Sequence, residues 1–400
     1  MTTRPGRAVR ALIVSRTFTP EVNAAAFRLG ALAGGLRRSG ADVEVITSVP
    51  PRALRGVPEP SGIRVRRWPV LRDAGGNVRG YVQYLSFDLP LLVRLLFRRF
   101  DVLVSEAPPT TGLISALVAA VRRRPLVYYA ADVWTDGVAA VGSPAPVVGV
   151  MRMLERAVLT RSTRILSVSP GVDDRLVGLG ADPERIAMIG HGIDTEVFRP
   201  DGPIPEEGRR YFVYTGTMSE VHAPQIFVRA FAAIAEQHPD VDLRFYGQGV
   251  HVPELQALAE RLIPGRAAFG GVVPPQEAAQ WLRGAVAALV SLTPGIGYDF
   301  AHPTKAYAAA ACGTPILYTG AEPFGRIIRE AELGEWAAYD VDAVAEGMGR
   351  LLTDAAAAAR DRLRPERAQW AREHVSLAAV ADDAAAVVTA AASRFSRGSR

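Results

Sequence analysis

Two strand–loop–helix openings in one chain predict an α/β fold of two Rossmann-like halves. The first runs from Arg10–Ser15 through a helix at Ala24–Ser39 to a second strand at Asp42–Thr47, and the second restarts at Tyr211–Gly216. Length agrees, since 400 residues exceed one ordinary core. Apolar runs of four to six residues alternate with helical stretches, the pattern of a parallel sheet covered on both faces.

In the first half the strands are expected at Arg10–Ser15, Asp42–Thr47, Gly62–Trp68, Asp101–Ser105, Pro125–Ala130 and Arg164–Ser169. The helix at Ala24–Ser39 follows from its apolar spacing and ends at Gly40. Tyr81–Phe100 is a long apolar segment with Arg94, Arg98 and Arg99 near its end. It reads as a core helix or as a membrane-surface helix. Ala187–Pro200 leaves the sheet through a Gly-containing turn, and the polar Gly202–Gly208 stretch with its prolines reads as the interdomain linker. The second half repeats the pattern at Tyr211–Gly216, Asp242–Gly247, Ala267–Gly270, Val286–Leu292 and Ile316–Thr319. Two helical tails, Arg360–His374 and Leu377–Phe395, close the chain. The expected domains are 1–200 and 209–374, with the 377–395 helix crossing back to the first.

Composition excludes several classes. One cysteine, Cys312, rules out an intramolecular disulfide framework and a CxxC metal site. No run reaches the roughly 18 apolar residues of a membrane span. The same cysteine usage leads to the expectation of a cytoplasmic location, and the opening MTTRPGRAVRALIVS reads as the lead into a first strand, not as a signal peptide. No G-x-G-x-x-G follows the first strand and no G-x-x-x-x-G-K-[ST] occurs, which argues against a dinucleotide or P-loop site. No basic stretch is interleaved with aromatics, which disfavours nucleic acid. The charge is uneven: residues 1–199 carry 27 Arg against 17 Asp+Glu, and the remainder 19 Lys+Arg against 24. A basic first half suits an anionic acceptor or a membrane surface, so peripheral membrane contact is an expected partner interaction.

One stretch stands out for chemistry, DFAHPTKAYAAAACGTPILYTG at Asp299–Gly320. It holds Lys305, the only lysine among 46 Lys+Arg. A lysine kept where every other cation is arginine suits a point contact to one phosphate oxygen. The competing reading is a surface lysine on a structural helix. Lys305 follows Pro303 and Thr304 at a helix start, where Thr304 can cap and free N–H groups make an anion site. Gly247-Gln248-Gly249 ends a strand, where small residues let backbone approach a ligand or simply form a tight turn. Asp132 ends the strand PLVYYA and reads either as a helix cap or as a base for an acceptor hydroxyl. Glu106 ends DVLVSE in the same way, and Arg28 lies one turn into the first helix, placed to reach an anion. Asp240-Val-Asp242 and Asp340-Val-Asp342 match a metal-binding D-x-D by letter only, so no metal is expected.

Taken together, IGHGIDTEVFRP, YTGTMS, FYGQG, FGGVVP and HPTKAYAAAACGTPIL resemble the retaining family-4 glycosyltransferases of the GT-B fold over nearly the whole chain. The resemblance implies two Rossmann-like domains facing each other across a cleft, the donor on the second and the acceptor on the first. It implies donor contacts from Gly216, Thr217, Met218, Gly247, Gln248, Gly249, Val272, Val273, His302, Pro303, Thr304 and Lys305. The resemblance puts the acceptor on the first domain, where the candidates are Arg28, Glu106 and Asp132 by position, Asn23, which with Ala24 replaces the family's usual Gly-Gly, and His191, which replaces its usual Asn; Lys305 and Asp132 are the candidate catalytic residues. The chain departs from the family pattern, because Phe300 and Ala308 occupy the positions of the usual E-x7-E glutamates. It looks like the P-[ST]-K sub-branch, though the Glu usual there three residues after the lysine is again Ala308. The usual Arg and Lys after the first strand of the donor domain are also absent, leaving Lys305 as the main cation for a diphosphate.

The expected function is transfer of a sugar from a UDP- or GDP-sugar to a hydroxyl or other nucleophile of a small-molecule or lipid-linked acceptor, with retention. The nucleotide sugar is a substrate, and no cofactor is expected. The alternatives are a sugar-nucleotide 2-epimerase on the same fold and a non-catalytic sugar-nucleotide-binding member.

Overall fold

The computed structural model describes residues 7–21, 23–73, 76, 78, 80–140 and 142–398. The chain divides into two compact units, 1–192 with 377–400, and 193–376. The opening six residues of the N-terminal stretch lie outside the described residues.

The first unit begins with β1 (Arg10–Val14), α1 (Ala24–Arg38), β2 (Asp42–Ser48), β3 (Arg64–Trp68), α2 (Tyr81–Leu96) and β4 (Val102–Glu106). It continues with α3 (Pro109–Val121), β5 (Leu126–Ala130), α4 (Trp134–Ala140), α5 (Ala145–Arg161), β6 (Arg164–Ser167), α6 (Pro170–Gly178) and β7 (Ile186–Met188). Its seven strands are parallel in the order β3-β2-β1-β4-β5-β6-β7. The central β4 and β5 are buried at every position, which explains their unbroken apolar runs. The edge strand β3 reads RVRRW and is the polar exception. Arg64 pairs with Asp42 at 2.8 Å and Arg66 with Glu44 at 2.6 Å, and such charge blunts an open sheet edge.

The second unit holds β8 (Arg210–Thr215), α7 (Gln225–Ile234), β9 (Val241–Tyr246), α8 (Val252–Leu262), β10 (Ala267–Gly271) and α9 (Pro275–Gly284). There follow β11 (Ala287–Ser291), α10 (Thr304–Ala311), β12 (Ile316–Thr319), α11 (Glu322–Glu330), β13 (Gly334–Ala337), α12 (Val341–Leu351), α13 (Asp354–Arg362) and α14 (Arg364–His374). Its sheet is parallel in the order β10-β9-β8-β11-β12-β13. A separate core packs each face of it, one around Phe227, Phe231 and Phe245, the other around Tyr318, Phe324 and the alanines of α10.

The final helix, α15 (Leu377–Gly398), belongs to the first unit and packs along α1. Small residues allow the approach: a Cβ on Gly35 would stand 2.7 Å from the Ala381 carbonyl oxygen. Buried Ala381, Ala384, Ala385 and Val388 fill the seam, and Arg38 pairs with Asp382 at 2.7 Å.

Two expectations need correction. The stretch expected as the linker, 202–208, is fastened to the second unit. Buried Arg283 donates to the carbonyls of Pro203 at 3.0 Å and Arg199 at 3.3 Å, and Glu207 pairs with Arg244 at 2.6 Å. The units therefore divide after Gly192, not at residues 200–208. Two strands, β7 and β13, were not expected at all. Each is an edge strand of three or four residues, too short to stand out as an apolar run.

Candidate active site

In the second unit the loops that follow β8, β9 and β10 are joined by main-chain hydrogen bonds. Gly216 N–H donates to the Tyr246 carbonyl at 2.8 Å, Met218 N–H to Gln248 at 2.9 Å, and Gly247 N–H to Gly271 at 2.6 Å. This closeness requires glycine. A Cβ on Gly247 would sit 1.9 Å from the Gly216 oxygen, and one on Gly249 would sit 1.9 Å from the Met218 oxygen. Both residues also have positive φ, +134° and +158°, which side chains resist. The GQG turn thus presses its backbone against 216–218 at the C-terminal edge of a parallel sheet, where such folds bind ligands.

Lys305 reaches the same edge from the first turn of α10. Its Nζ donates to the Tyr214 hydroxyl at 2.6 Å and lies 4.1 Å from the centre of that ring. The Tyr214 hydroxyl in turn donates to the Thr217 carbonyl at 2.6 Å. A Cβ on Gly216 would meet Lys305 Cε at 3.2 Å and Nζ at 3.5 Å, so the bare glycine leaves the ammonium its place. Among the described residues no carboxylate pairs with Lys305. Loss of hydration on burial therefore goes uncompensated and pulls the ammonium down to about 7. His222, whose Nδ1 lies 3.1 Å from Ser219 Oγ, is held neutral, pushed down to about 3 by burial and then by the Lys305 charge. Burial raises the Tyr214 phenol well above its ordinary value, so it stays protonated. The result is a cation with no anion, backed by a phenol and bordered by glycine backbone.

The other expected donor residues divide. Thr217, Gln248 and Val272 are exposed on these loops, whereas the Met218 side chain is in the core, and only its backbone faces the loops. Val273 packs against the second core. His302 sits in an aromatic cluster, its Nδ1 2.9 Å from Tyr307 Oη and its ring 5.2 Å from Phe324, and burial lowers it. Thr304 does not cap α10: it is the first helical residue, Pro303 is the N-cap, and no side chain closes that end. Ala308, at a family glutamate position, is buried in the core, and Phe300 stacks on Tyr298 at 6.4 Å. The first D-x-D belongs to ion pairs and the second begins with a helix cap. Asp242 accepts from Arg209 and Arg266 at 3.0 Å and from Arg244 at 3.2 Å, Asp240 pairs with Arg210 at 2.7 Å, and Asp340 caps α12.

In the first unit the strand order reverses between β1 and β4. Glu106, at the end of β4, is buried, and its Oε1 accepts from Arg28 Nε at 3.1 Å and Nη2 at 2.5 Å. Burial pushes the Glu106 carboxyl up, and the Arg28 charge opposes it. These two residues therefore hold each other. Arg16, just past β1, lies 3.6 Å from the Tyr84 ring centre, and burial pulls it down to about 10. Asp132 is exposed and does not cap α4. That end is closed by buried Glu155, which accepts from the N–H groups of Trp134 and Thr135 at 2.9 Å and from Thr135 Oγ1 at 2.6 Å. Asn23 caps α1, accepting from Ala26 N–H at 2.9 Å. His191 is half-buried beside Gly190, at the end of the unit. Tyr214, Arg16 and Glu155 were not foreseen, since each looks like an ordinary strand, loop or helix residue.

Residues 23–192 match the Glycosyl transferase 4-like domain, and residues 209–354 match the Glycosyl transferases group 1 domain. The chain is 28% identical over 230 residues to a D-inositol 3-phosphate glycosyltransferase of Paenarthrobacter aurescens, covering 49% of this chain and 54% of that protein. It thus spans about half the length of the curated relatives it matches. Among solved structures it is similar to WaaG, a glycosyltransferase involved in lipopolysaccharide biosynthesis, with a TM-score of 0.73 and 17% identity over 95% of this chain and 99% of that one. It is also similar to HepE of Anabaena in complex with UDP and glucose, with a TM-score of 0.71 and 14% identity over 95% and 99%. Two parallel α/β units and this pair of domain matches place the chain in the GT-B glycosyltransferases, a 4-like domain followed by a group 1 domain.

Proposed function

We propose that the chain transfers a sugar from a nucleotide-sugar donor to a hydroxyl of a small-molecule or lipid-linked acceptor, with retention at the sugar carbon. The observation that carries this reading is Lys305, a cation without an anion at the glycine-lined end of β8. A diphosphate supplies the missing charge. The structure of HepE with UDP and glucose supports a UDP-sugar as the first donor to test.

In this reading the bond between the sugar carbon and the diphosphate oxygen breaks, and its electron pair leaves with the diphosphate. Lys305 and the uncapped N-terminus of α10 stabilise that growing negative charge. Tyr214 positions the ammonium and, through Thr217, ties it to the donor loop. The acceptor oxygen forms the new bond and gives up its proton to Asp132, which is exposed at the end of β5 with no hydrogen-bond partner among the described residues. No metal is assigned a step, because a fixed cation performs the neutralisation.

A thermal-shift screen against UDP-, GDP- and dTDP-sugars tests the donor. A ligand at a hundred times its dissociation constant stabilises by about 2.7 kcal/mol. Product analysis then separates the chemistries. Sugar transfer needs an added acceptor, whereas a changed sugar nucleotide without any acceptor would mean epimerisation. Failure of every nucleotide sugar to shift the melting point refutes the proposal.

A further inference from the structure

The helix α2 is apolar on two opposite faces. Phe87, Leu91 and Leu95 are fully buried on the sheet side. Val82, Leu85, Leu89 and Val93, with Phe97 at the C-cap, are all exposed. At 3.6 residues per turn these five fall within roughly 120° of the helix circumference, turned away from the buried set. Phe97 is 83% exposed, and Val121 at the end of the neighbouring α3 is 71% exposed. Single exposed apolar residues need no explanation, but a stripe along a whole helix does.

Charge gathers at one end of this stripe. Arg122, just past α3, donates to the carbonyls of Leu96 at 3.2 Å and Arg98 at 3.3 Å, so the two helix ends meet. Arg98, Arg99 and Arg122–Arg124 therefore lie together beside Phe97 and Val121. Two carboxylates answer them, Glu44 at 3.4 Å from Arg98 and Asp101 at 3.9 Å from Arg124. Arg99 and Arg123 form no ion pair among the described residues.

We propose that the outer face of α2, with the arginine cluster at its C-terminal end, lies on an anionic lipid surface. Aliphatic side chains enter the acyl boundary while arginines meet the headgroup phosphates. The exposed stripe is aliphatic with one phenylalanine, and the one polar residue within its arc, Ser86, is half-buried with its hydroxyl donating to the Gln83 carbonyl at 2.7 Å, so the face suits hydrocarbon better than a specific protein interface. No described helix is long and apolar enough to cross a membrane, so the contact is peripheral.

The test is co-sedimentation of the full chain with phosphatidylcholine vesicles, with and without phosphatidylglycerol. It uses no donor and no turnover, so its result is separate from that of the transferase reading. Binding is expected only with phosphatidylglycerol and should weaken with salt. Substituting Arg99→Gln, Arg123→Gln and Arg124→Gln together should lower the partition coefficient about a hundredfold, at about fivefold per charge. Leu89→Ser with Phe97→Ser should lower it at least tenfold, with an unchanged melting temperature because both side chains are exposed. Equal binding by wild type and both variants would overturn the proposal. So would absence of vesicle binding, and concentration-dependent self-association would then give the face to a second copy of the chain.

Discussion

Lys305 makes donor binding pH-dependent in a range where little else in its surroundings titrates. In the ligand-free protein its ammonium is pulled down to about 7 by burial, with no carboxylate to restore it. His222 and His302 are lowered, and Tyr214 is raised, so all three keep their neutral forms from pH 7 to 8.5. A nucleotide-sugar diphosphate binds the charged form, so binding takes up a proton above neutrality. The apparent affinity scales with the charged fraction, and between pH 7 and 8.5 it should fall about sixteenfold. Calorimetric titration with UDP-glucose measures this, and buffers of different ionisation enthalpy report the proton directly. Lys305→Arg keeps its charge throughout and should flatten the profile, though its planar fork should not restore wild-type affinity. The same group links pH to stability. Its folded value lies below the unfolded one of 10.5, so its stability contribution is complete above that and lost as pH falls towards about 7. A flat wild-type binding profile, or an equal slope in Lys305→Arg, refutes the assignment.

Further expectations follow from the same geometry. Lys305→Ala should lower turnover by tenfold to over a hundredfold and donor binding by less, because leaving-group charge peaks near the transition state; steady-state kinetics beside titration separates the two. Activity should survive EDTA, and complete loss rescued by Mg²⁺ or Mn²⁺ would show that a metal performs the neutralisation assigned to Lys305. Gly247→Ala should abolish donor binding and lower the melting temperature, since its Cβ would fall 1.9 Å from the Gly216 oxygen at φ +134°. Glu155→Gln should destabilise by about 1–3 kcal/mol, because its buried carboxylate closes the start of α4; denaturant titration reads it.

Much of the fold was legible because parallel strands buried on both faces have no polar alternation to hide them. LVYYA in β5 and AALVS in β11 are buried at every position, and such runs stand out against any helix. The strands that went unseen lie at sheet edges. IAM in β7 and GEWA in β13 are short, and Gly334 looks like a turn residue although it starts a strand. Its glycine is needed for another reason, since a Cβ there would stand 2.0 Å from the Ile316 oxygen. The linker was misplaced because prolines and glycines mark irregular backbone, not free backbone. Pro203 and Gly202 are irregular, yet buried Arg283 holds them to the second unit.

The site was legible where a residue was conspicuous by its type, and hidden where its role depends on what surrounds it. A lone lysine among arginines can be seen in the letters, but its partner Tyr214 cannot. In YFVYTG the second tyrosine reads as one more strand aromatic, and only the fold brings its hydroxyl under a lysine 91 residues away. The same holds in reverse for the carboxylates. Asp240 and Asp242 have the spacing of a metal ligand pair, but four arginines claim them at the end of β9 opposite Gly247. Glu106 and Arg28 each seemed open to a ligand, and the structure spends each on the other. Charge that the fold has already paired is withdrawn from chemistry, so the group left unpaired carries the functional argument. Lys305 is such a group at the C-terminal edge of the second sheet, which is why the pH profile of donor binding discriminates more sharply than the loss of any paired residue.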